Sequence, residues 1–295
     1  MHPLALGYRT LGRLARSLPR GVAYAAARGL MEAVYFGWPQ GSQAARHNAR
    51  RLLPYVRWSG TATDLARAQF RRYGEYLIDA IRLDELRPSD CYEAISGDDP
   101  AYASAWAHLR EWHGRQPILF AVMHVGNWDV LGGAFTHAVG SSMVLVDDLG
   151  HPGLNQAVQS QRARLGMEPA SGTRGLHRIV THLRNGGTGA ILFDRPVNPG
   201  ERLVEATLFN QPCRLPATMG RVAALSEAKV IPLAALRRGA GFRFEPKLDL
   251  EFEAPSDPYD IVRETLVRFE PWLAEAPDQW YQFRRFFSPA RRQST

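Results

Sequence analysis

Two polar residues stand where an apolar run ends. In "AVMHVGNWDVLGG" (Ala121–Gly133) a histidine, His124, precedes an aspartate, Asp129, by five positions. An imidazole exchanges protons near neutrality, and a carboxylate beside it can fix its tautomer and stabilise the imidazolium. Together they suit a general base acting on a hydroxyl. The motif holds no serine or cysteine, which points to direct attack by an activated acceptor rather than a covalent enzyme intermediate. Gly126–Asn127 read as a helix start, where backbone N–H groups favour developing negative charge. Asn127 and Trp128 are placed to cap that helix and wall the site. Spacing alone leaves a second reading open: a hydrogen-bonded strand-end histidine, and an aspartate that simply favours the helix dipole.

Two arginines join the candidate list. Arg195 follows Asp194 at another expected strand end, suited to a donor phosphate or a headgroup, or to a salt bridge with Asp194 or Asp147. Arg174, in "SGTRG", reads as a phosphate contact or a loop cap.

The elements that must position these groups follow from patterning. "PILFAVM" (Pro117–Met123), "SMVLV" (Ser142–Val146), "GAILF" (Gly189–Phe193) and "KVIPLAAL" (Lys229–Leu236) are short apolar runs, as expected of strands buried on both faces. Helix-like stretches lie between them, at Asn127–Ala138, Pro152–Leu165, Gly175–Asn185 and Pro216–Glu227. Alternation of this kind predicts an α/β fold with a central mixed, largely parallel sheet flanked by helices. "GFRFEPKLDLEFE" alternates like an edge strand or hairpin, and "DPYDIVRETLVRFEPWLAEAP" reads as a late helix. His124 then falls at the carboxyl end of a strand, where open α/β sheets gather ligands. Residues from about 5 to 112 look helical, with breaks at Pro39, Pro54 and Pro88. The expected division is a helical, amphipathic, membrane-associating region over 1–112, packed on an α/β core over 113–295.

Composition adds a charge asymmetry. The chain of 295 residues carries +7, yet the first 60 residues hold nine arginines against the single acid Glu32, or +8, so the remainder carries −1. Such a block suits an anionic surface, whether lipid headgroups, nucleic acid or an acidic carrier protein, or forms a solvated arginine-rich face. "GVAYAAARGLMEAVYFGW" (Gly21–Trp38) is interrupted by Arg28 and Glu32, short of the roughly 18–20 apolar residues of a membrane span. Neither a transmembrane span nor a cleavable signal peptide is expected. The segment reads as an interfacial amphipathic helix or as a core-packing helix rimmed by arginine stems. Cys91 and Cys213 are expected as free thiols. No H-E-x-x-H, C-x-x-C, G-x4-G-K-[ST], G-x-G-x-x-G or G-x-S-x-G pattern occurs, so neither a metal nor a bound cofactor is expected.

Four stretches carry a family resemblance. "HVGNWD" is similar to the H-x4-D motif of glycerolipid and glycolipid acyltransferases. "HNARRLLP" (His47–Pro54), the block from Phe193 to Pro232, and "APDQWYQFRRF" (Ala276–Phe286) resemble, in order, further signatures of the lipid A secondary acyltransferases, especially the phosphatidylinositol mannoside acyltransferase branch. The resemblance spans nearly the whole chain. It implies a glycerol-phosphate acyltransferase-like architecture, with His124 as catalytic base and Asp129 as its partner. It further implies transfer of a fatty acyl group from acyl-CoA or acyl carrier protein to a hydroxyl of a membrane glycolipid or phospholipid, at the cytoplasmic face of the cell membrane, with no nucleic-acid partner. Asp147 is expected as a second carboxylate near His124, or as a solvated strand-end residue, and Glu205 as an acid that assists the site or lies exposed. Three positions depart from the family pattern: "VDD" (Val146–Asp148) replaces an arginine-bearing stretch, Pro216-Ala217-Thr218 replaces P-x-G, and Phe283 replaces a histidine. A thioester hydrolase on the same scaffold and a non-catalytic binder of anionic polymers are the competing readings.

Overall fold

The computed structural model describes residues 12–95, 100–146, 151–195 and 201–288. Its central sheet has six strands: β1 (Ile118–Gly126), β2 (Ser142–Leu145), β3 (Met167–Ala170), β4 (Thr188–Leu192), and, after a separate hairpin, β7 (Lys229–Arg237) and β8 (Phe244–Leu248). The spatial order is β3-β2-β4-β1-β7-β8, with β8 antiparallel to β7 and the other pairs parallel. β1 is therefore central, which explains its near-continuous apolar sequence. Its alternate residues feed two layers. Leu119, Ala121, Met123 and Val125 pack with Ile179 and Leu183 of the Gly172–Arg184 helix and with Val222 of the Thr218–Ser226 helix. Ile118, Phe120 and Val122 face the Trp128–Ala138 and Pro100–Trp112 helices through Leu131, Phe135 and Leu109.

The expected α/β sheet is present, with three departures. The short strand β3 was hidden because "MEPA" contains an acid and a proline and shows no apolar run. The block after Arg195 forms the hairpin β5 (Leu203–Leu208) and β6 (Gln211–Pro216). Phe209 and Asn210 turn it with φ of 50° and 57°, the left-handed pair that a two-residue hairpin turn requires. The late helix is two helices, Pro258–Val267 and Glu270–Glu275.

The amino-terminal helices pack onto the carboxyl end of the sheet. The Ala62–Ile81 helix begins with a capping box in which Thr61 and Asp64 satisfy each other's backbone N–H groups. The Arg20–Gly37 helix crosses it so closely that a Cβ on Gly74 would stand 2.9 Å from the Ala27 carbonyl oxygen. Both helices are tied to the last residue of β7. The Arg237 guanidinium pairs with Asp79, lies 3.4 Å from a Glu75 oxygen, and donates to the Tyr24 hydroxyl at 3.3 Å. Asp79 and Arg237 are both buried. Removing one partner of such a pair leaves an uncompensated charge out of water, at a cost of about 3–5 kcal/mol. Arg237→Ala is accordingly expected to lower the urea-unfolding free energy by about 3–5 kcal/mol. A loss below about 1 kcal/mol, the scale of an exposed pair, would mean that the helices are anchored elsewhere.

Candidate active site

His124 lies where β1 leaves its ladder. Val122 pairs with Leu233 and Gly126 with Ala235, so β1 advances four residues while β7 advances two, a bulge centred on His124. Both backbone groups of His124 are partnered. The His124 N–H donates to both Asp194 oxygens at 3.1 Å, and its carbonyl accepts the Tyr281 N–H at 2.9 Å. Gly126 then turns the chain with φ +65°, and a Cβ there would lie 1.9 Å from the Ala235 carbonyl oxygen. Only glycine fits this turn.

The imidazole is oriented by Asp194, whose Oδ1 lies 2.6 Å from His124 Nδ1. The Asp194 side chain is fully buried, accepts the Trp280 indole N–H at 3.2 Å, and follows β4, the neighbour of β1. This arrangement places the Nδ1 proton between ring and carboxylate. Burial alone would raise the Asp194 carboxyl. The charge and hydrogen bond of His124, then Arg195 and the Trp280 N–H, outweigh it and hold the group below its usual range.

Asp129 does not take that orienting position. Its oxygens accept from the Arg162 guanidinium Nε at 2.7 Å and from the Tyr76 hydroxyl at 2.8 Å. Its place in the first turn of the Trp128–Ala138 helix aims it at the helices packed alongside, while Asp194 reaches Nδ1 from the adjacent strand end. Asn127 is consumed structurally as well. Its side-chain oxygen caps the helix by accepting the Val130 N–H at 3.1 Å, and its amide donates to Asp79 at 3.0 Å. Trp128 meets the edge of His124 with ring centroids 5.1 Å apart.

His124, Trp128, Asp129, Arg162 and Arg195 line one cavity of about 240 Å³. Away from these groups its walls are mostly apolar, with Phe120 and Val122 of β1, Val144 of β2, Ala190 and Leu192 of β4 and Leu233 of β7, while Ser142, Tyr73 and Tyr76 add hydroxyls. Val144, Ala190 and Leu192 stay half-buried in mid-sheet because the cavity lies over them. Arg195 also lines a second cavity, of about 440 Å³, with His47, Arg214, Arg284 and Arg285. The Arg195 Nε is buried without a hydrogen-bond partner.

The remaining sequence candidates lie elsewhere. Glu205 is exposed on β5 and pairs across the hairpin with Arg214 at 3.1 Å, because its register points it outward. Arg174 is exposed in the first turn of the Gly172–Arg184 helix and lines neither cavity. Asp147 lies outside the described residues. Phe283, where the family pattern has histidine, packs on Phe70 at 4.4 Å. Sequence reasoning passed over Arg162 and Tyr76, and treated Asp194 only as a salt-bridge partner. None of the three has a local signal, since each meets the motif from a distant element.

Two stretches singled out in the sequence meet in space. Asn48 of "HNARRLLP" donates to the carbonyls of Gln282 and Arg284 at 3.1 and 2.7 Å and accepts the Phe286 N–H at 3.0 Å. A family model described as bacterial lipid A biosynthesis acyltransferase matches residues 6–288. The chain belongs to this family. Among curated proteins it is 26% identical over 260 residues to a phosphatidylinositol mannoside acyltransferase of Mycobacterium tuberculosis (strain CDC 1551 / Oshkosh), covering 85% of this chain and 78% of that one. It is 25% identical over 289 residues to the phosphatidylinositol mannoside acyltransferase of Mycolicibacterium smegmatis (strain ATCC 700084 / mc(2)155), covering 95% and 90%. The protein is thus an O-acyltransferase of the class that works in glycolipid biosynthesis.

The assignment of Asp194 to His124 has a pH signature. The folded carboxyl lies below an unfolded value of about 3.9. The stability contributed by its ionised form is therefore complete above that pH and is lost as pH falls through the lower folded value. The gap in unfolding free energy between wild type and Asp194→Asn is expected to be widest near neutrality and to close on the acid side of about pH 4. A gap that widened on acidification would contradict the assignment.

Proposed function

We propose that this acyltransferase moves a fatty acyl group from a thioester, acyl-CoA or acyl carrier protein, to a hydroxyl of a membrane glycolipid or phospholipid, with His124 as general base. The observation that carries the reading is the His124–Asp194 pair at the mouth of a cavity that is apolar below and cationic beside it. His124 Nε2 takes the acceptor's proton while Asp194 stabilises the imidazolium. The alkoxide oxygen attacks the thioester carbonyl, the carbon–sulfur bond breaks, and the thiolate leaves with the proton returned by His124. Charge on the tetrahedral oxyanion needs a preorganised donor. The backbone N–H groups of His124 and Asn127 are already engaged by Asp194 and the Ala235 carbonyl, and the donors nearby are those around Gly126 and the Arg195 guanidinium, whose Nε has no hydrogen-bond partner. The arginine-lined second cavity suits the phosphates of a donor or a headgroup. Asp129 and Arg162 act as one unit that holds the wall of the cavity at Trp128.

The names of the relatives favour a glycolipid acceptor, and the amino-terminal helices suit its location. Among the described residues no helix is long and apolar enough to cross a membrane. Leu14, Val22, Leu30, Phe36 and Trp38 are nonetheless exposed there, among arginines. We read this surface as one that lies in the headgroup layer of an anionic membrane, at its cytoplasmic face.

Purified protein given palmitoyl-CoA and a total membrane lipid extract is expected to release thiol and form acyl-lipid together. His124→Ala loses both, and Asp194→Asn loses about 10²–10⁴-fold in rate. Thiol release without acyl-lipid would make the protein a hydrolase. Failure with both CoA and carrier-protein donors would reduce His124 to a packed strand-end residue. In sedimentation with anionic vesicles, Leu30→Asp combined with Phe36→Asp is expected to weaken binding by about tenfold or more, from the apolar area withdrawn from the interface. Unchanged binding would move the membrane face elsewhere.

A further inference from the structure

Two buried polar atoms of opposite kind stand idle on residues that wall the second cavity. The Arg195 Nε is a donor and the Gln282 Oε1 an acceptor, and neither has a hydrogen-bond partner among the described residues. Native folds leave few such atoms, since a polar group that gives up water without a partner is destabilising. Nor can the Gln282 amide turn over. Its Nε2 donates to the Asp194 carbonyl at 3.0 Å, and the side chain is buried. A flipped amide would set its oxygen against that carbonyl oxygen. Oε1 is therefore fixed as an acceptor, and whatever satisfies it must bring an O–H or N–H.

The rest of the wall calls for an anion. Arg195, Arg214, Arg284 and Arg285 line it, and Asp194, the one acid among the described lining residues, is spent on His124 and Trp280. Arg284 and Arg285 are exposed and form no ion pair among the described residues. Such a donor set suits a phosphate. The cavity of about 440 Å³ falls within the roughly 300–1,000 Å³ of small-molecule sites. An ionised phosphate ester offers acceptors only, so the phosphate alone leaves Oε1 unsatisfied. A polyol alone leaves the arginines unsatisfied. A phosphate ester with a hydroxyl close by serves both.

We propose that the second cavity recognises a phosphate ester bearing a hydroxyl near its phosphate, with Arg195, Arg284 and Arg285 holding the phosphate and Gln282 Oε1 accepting from the hydroxyl. The proposal rests on the reading above, in which this cavity takes the phosphate of a substrate, and it makes Gln282 the residue that separates such esters from anions in general. A lipid headgroup and the phosphopantetheine of a thioester donor both have this chemistry.

His47 reports on the same space. It lines the cavity, and its Nε2 lies 3.3 Å from the Phe287 carbonyl oxygen. Burial, with the charges of Arg285, Arg51 and Arg50, outweighs that bond and holds the imidazole below its usual range. An anion seated among the arginines offsets their charge and raises the titration point.

Titration calorimetry of the full chain at about pH 8 compares glycerol phosphate with n-propyl phosphate, which has the same carbon chain and no hydroxyl. Wild type is expected to prefer the glycerol ester by roughly two- to tenfold, the worth of one hydrogen bond. Either ester raises the His47 titration point followed by NMR. Gln282→Met removes the preference while n-propyl phosphate binds as before. Arg284→Gln weakens both esters alike, by about tenfold or more, and keeps the preference. A misfolded variant loses both esters and cannot imitate the Gln282→Met pattern, and the wild-type comparison needs no variant. Equal wild-type affinities, a preference that survives Gln282→Met, or binding that leaves His47 unmoved overturns the site. Phosphopantetheine binding more tightly than glycerol phosphate, with the same dependence on Gln282, assigns the site to the donor, and the reverse order assigns it to the headgroup. If the preferences hold but wild type forms no acyl-lipid, the site stands and the transfer reading falls. If acyl-lipid forms without the preferences, the site falls and transfer stands.

Discussion

A charged pair sealed from water forces the rest of this molecule to meet at one point. Asp79 comes from an amino-terminal helix and Arg237 from the end of a central strand, and neither can stay buried without the other. The Asp79 oxygen that meets Arg237 reaches further than the pair itself. It receives the amide of Asn127, whose other end caps the helix that roofs the apolar cavity. Helices that look peripheral in the sequence therefore determine where the roof begins. The energetic reason is plain: in a low-dielectric interior every donor and acceptor of such a network must be satisfied together, so the geometry is shared among all its members.

His124 is supported by the same logic applied to backbone. A strand that bulges loses ladder partners, and buried N–H and C=O groups without partners are costly. Here the orphaned groups are given to Asp194 and to the segment around Trp280 and Tyr281, and the carboxylate that takes the N–H takes the imidazole as well. One side chain thus partners the backbone and orients the imidazole, and the bulge is what aims the ring into the cavity.

These arrangements differ in how far they can be read from the chain. β1, β2, β4 and β7 were legible because burial on both faces writes a continuous apolar run, and β8 because one-sided burial writes alternation. β3 carries neither pattern, since four residues including Glu168 and Pro169 give no period to detect. The hairpin turn rests on Phe209 and Asn210 at positive φ, and only the asparagine hints at it. In the site, the type and place of His124 were legible from the end of its strand. The identity of its partner was not, because a spacing of five invites Asp129 while Asp194 arrives from 70 residues away through strand order. Asn127 misled in the other direction. Its position in the motif suggests contact with substrate, yet both ends of its amide are spent within the fold.

The long separation of these partners bears on how the chain matures. Domains form as their segments emerge, amino-terminal parts first. The sheet strands, the apolar cavity and its roof all come from residues before Trp280, whereas the indole that grips Asp194 stands 86 residues beyond that carboxylate. The carbonyl of His124 likewise waits for the Tyr281 N–H. During synthesis the sheet and its cavity are therefore in place before the His124–Asp194 pair has all its partners, and the closing aromatic segment is the latch that completes the pair's surroundings.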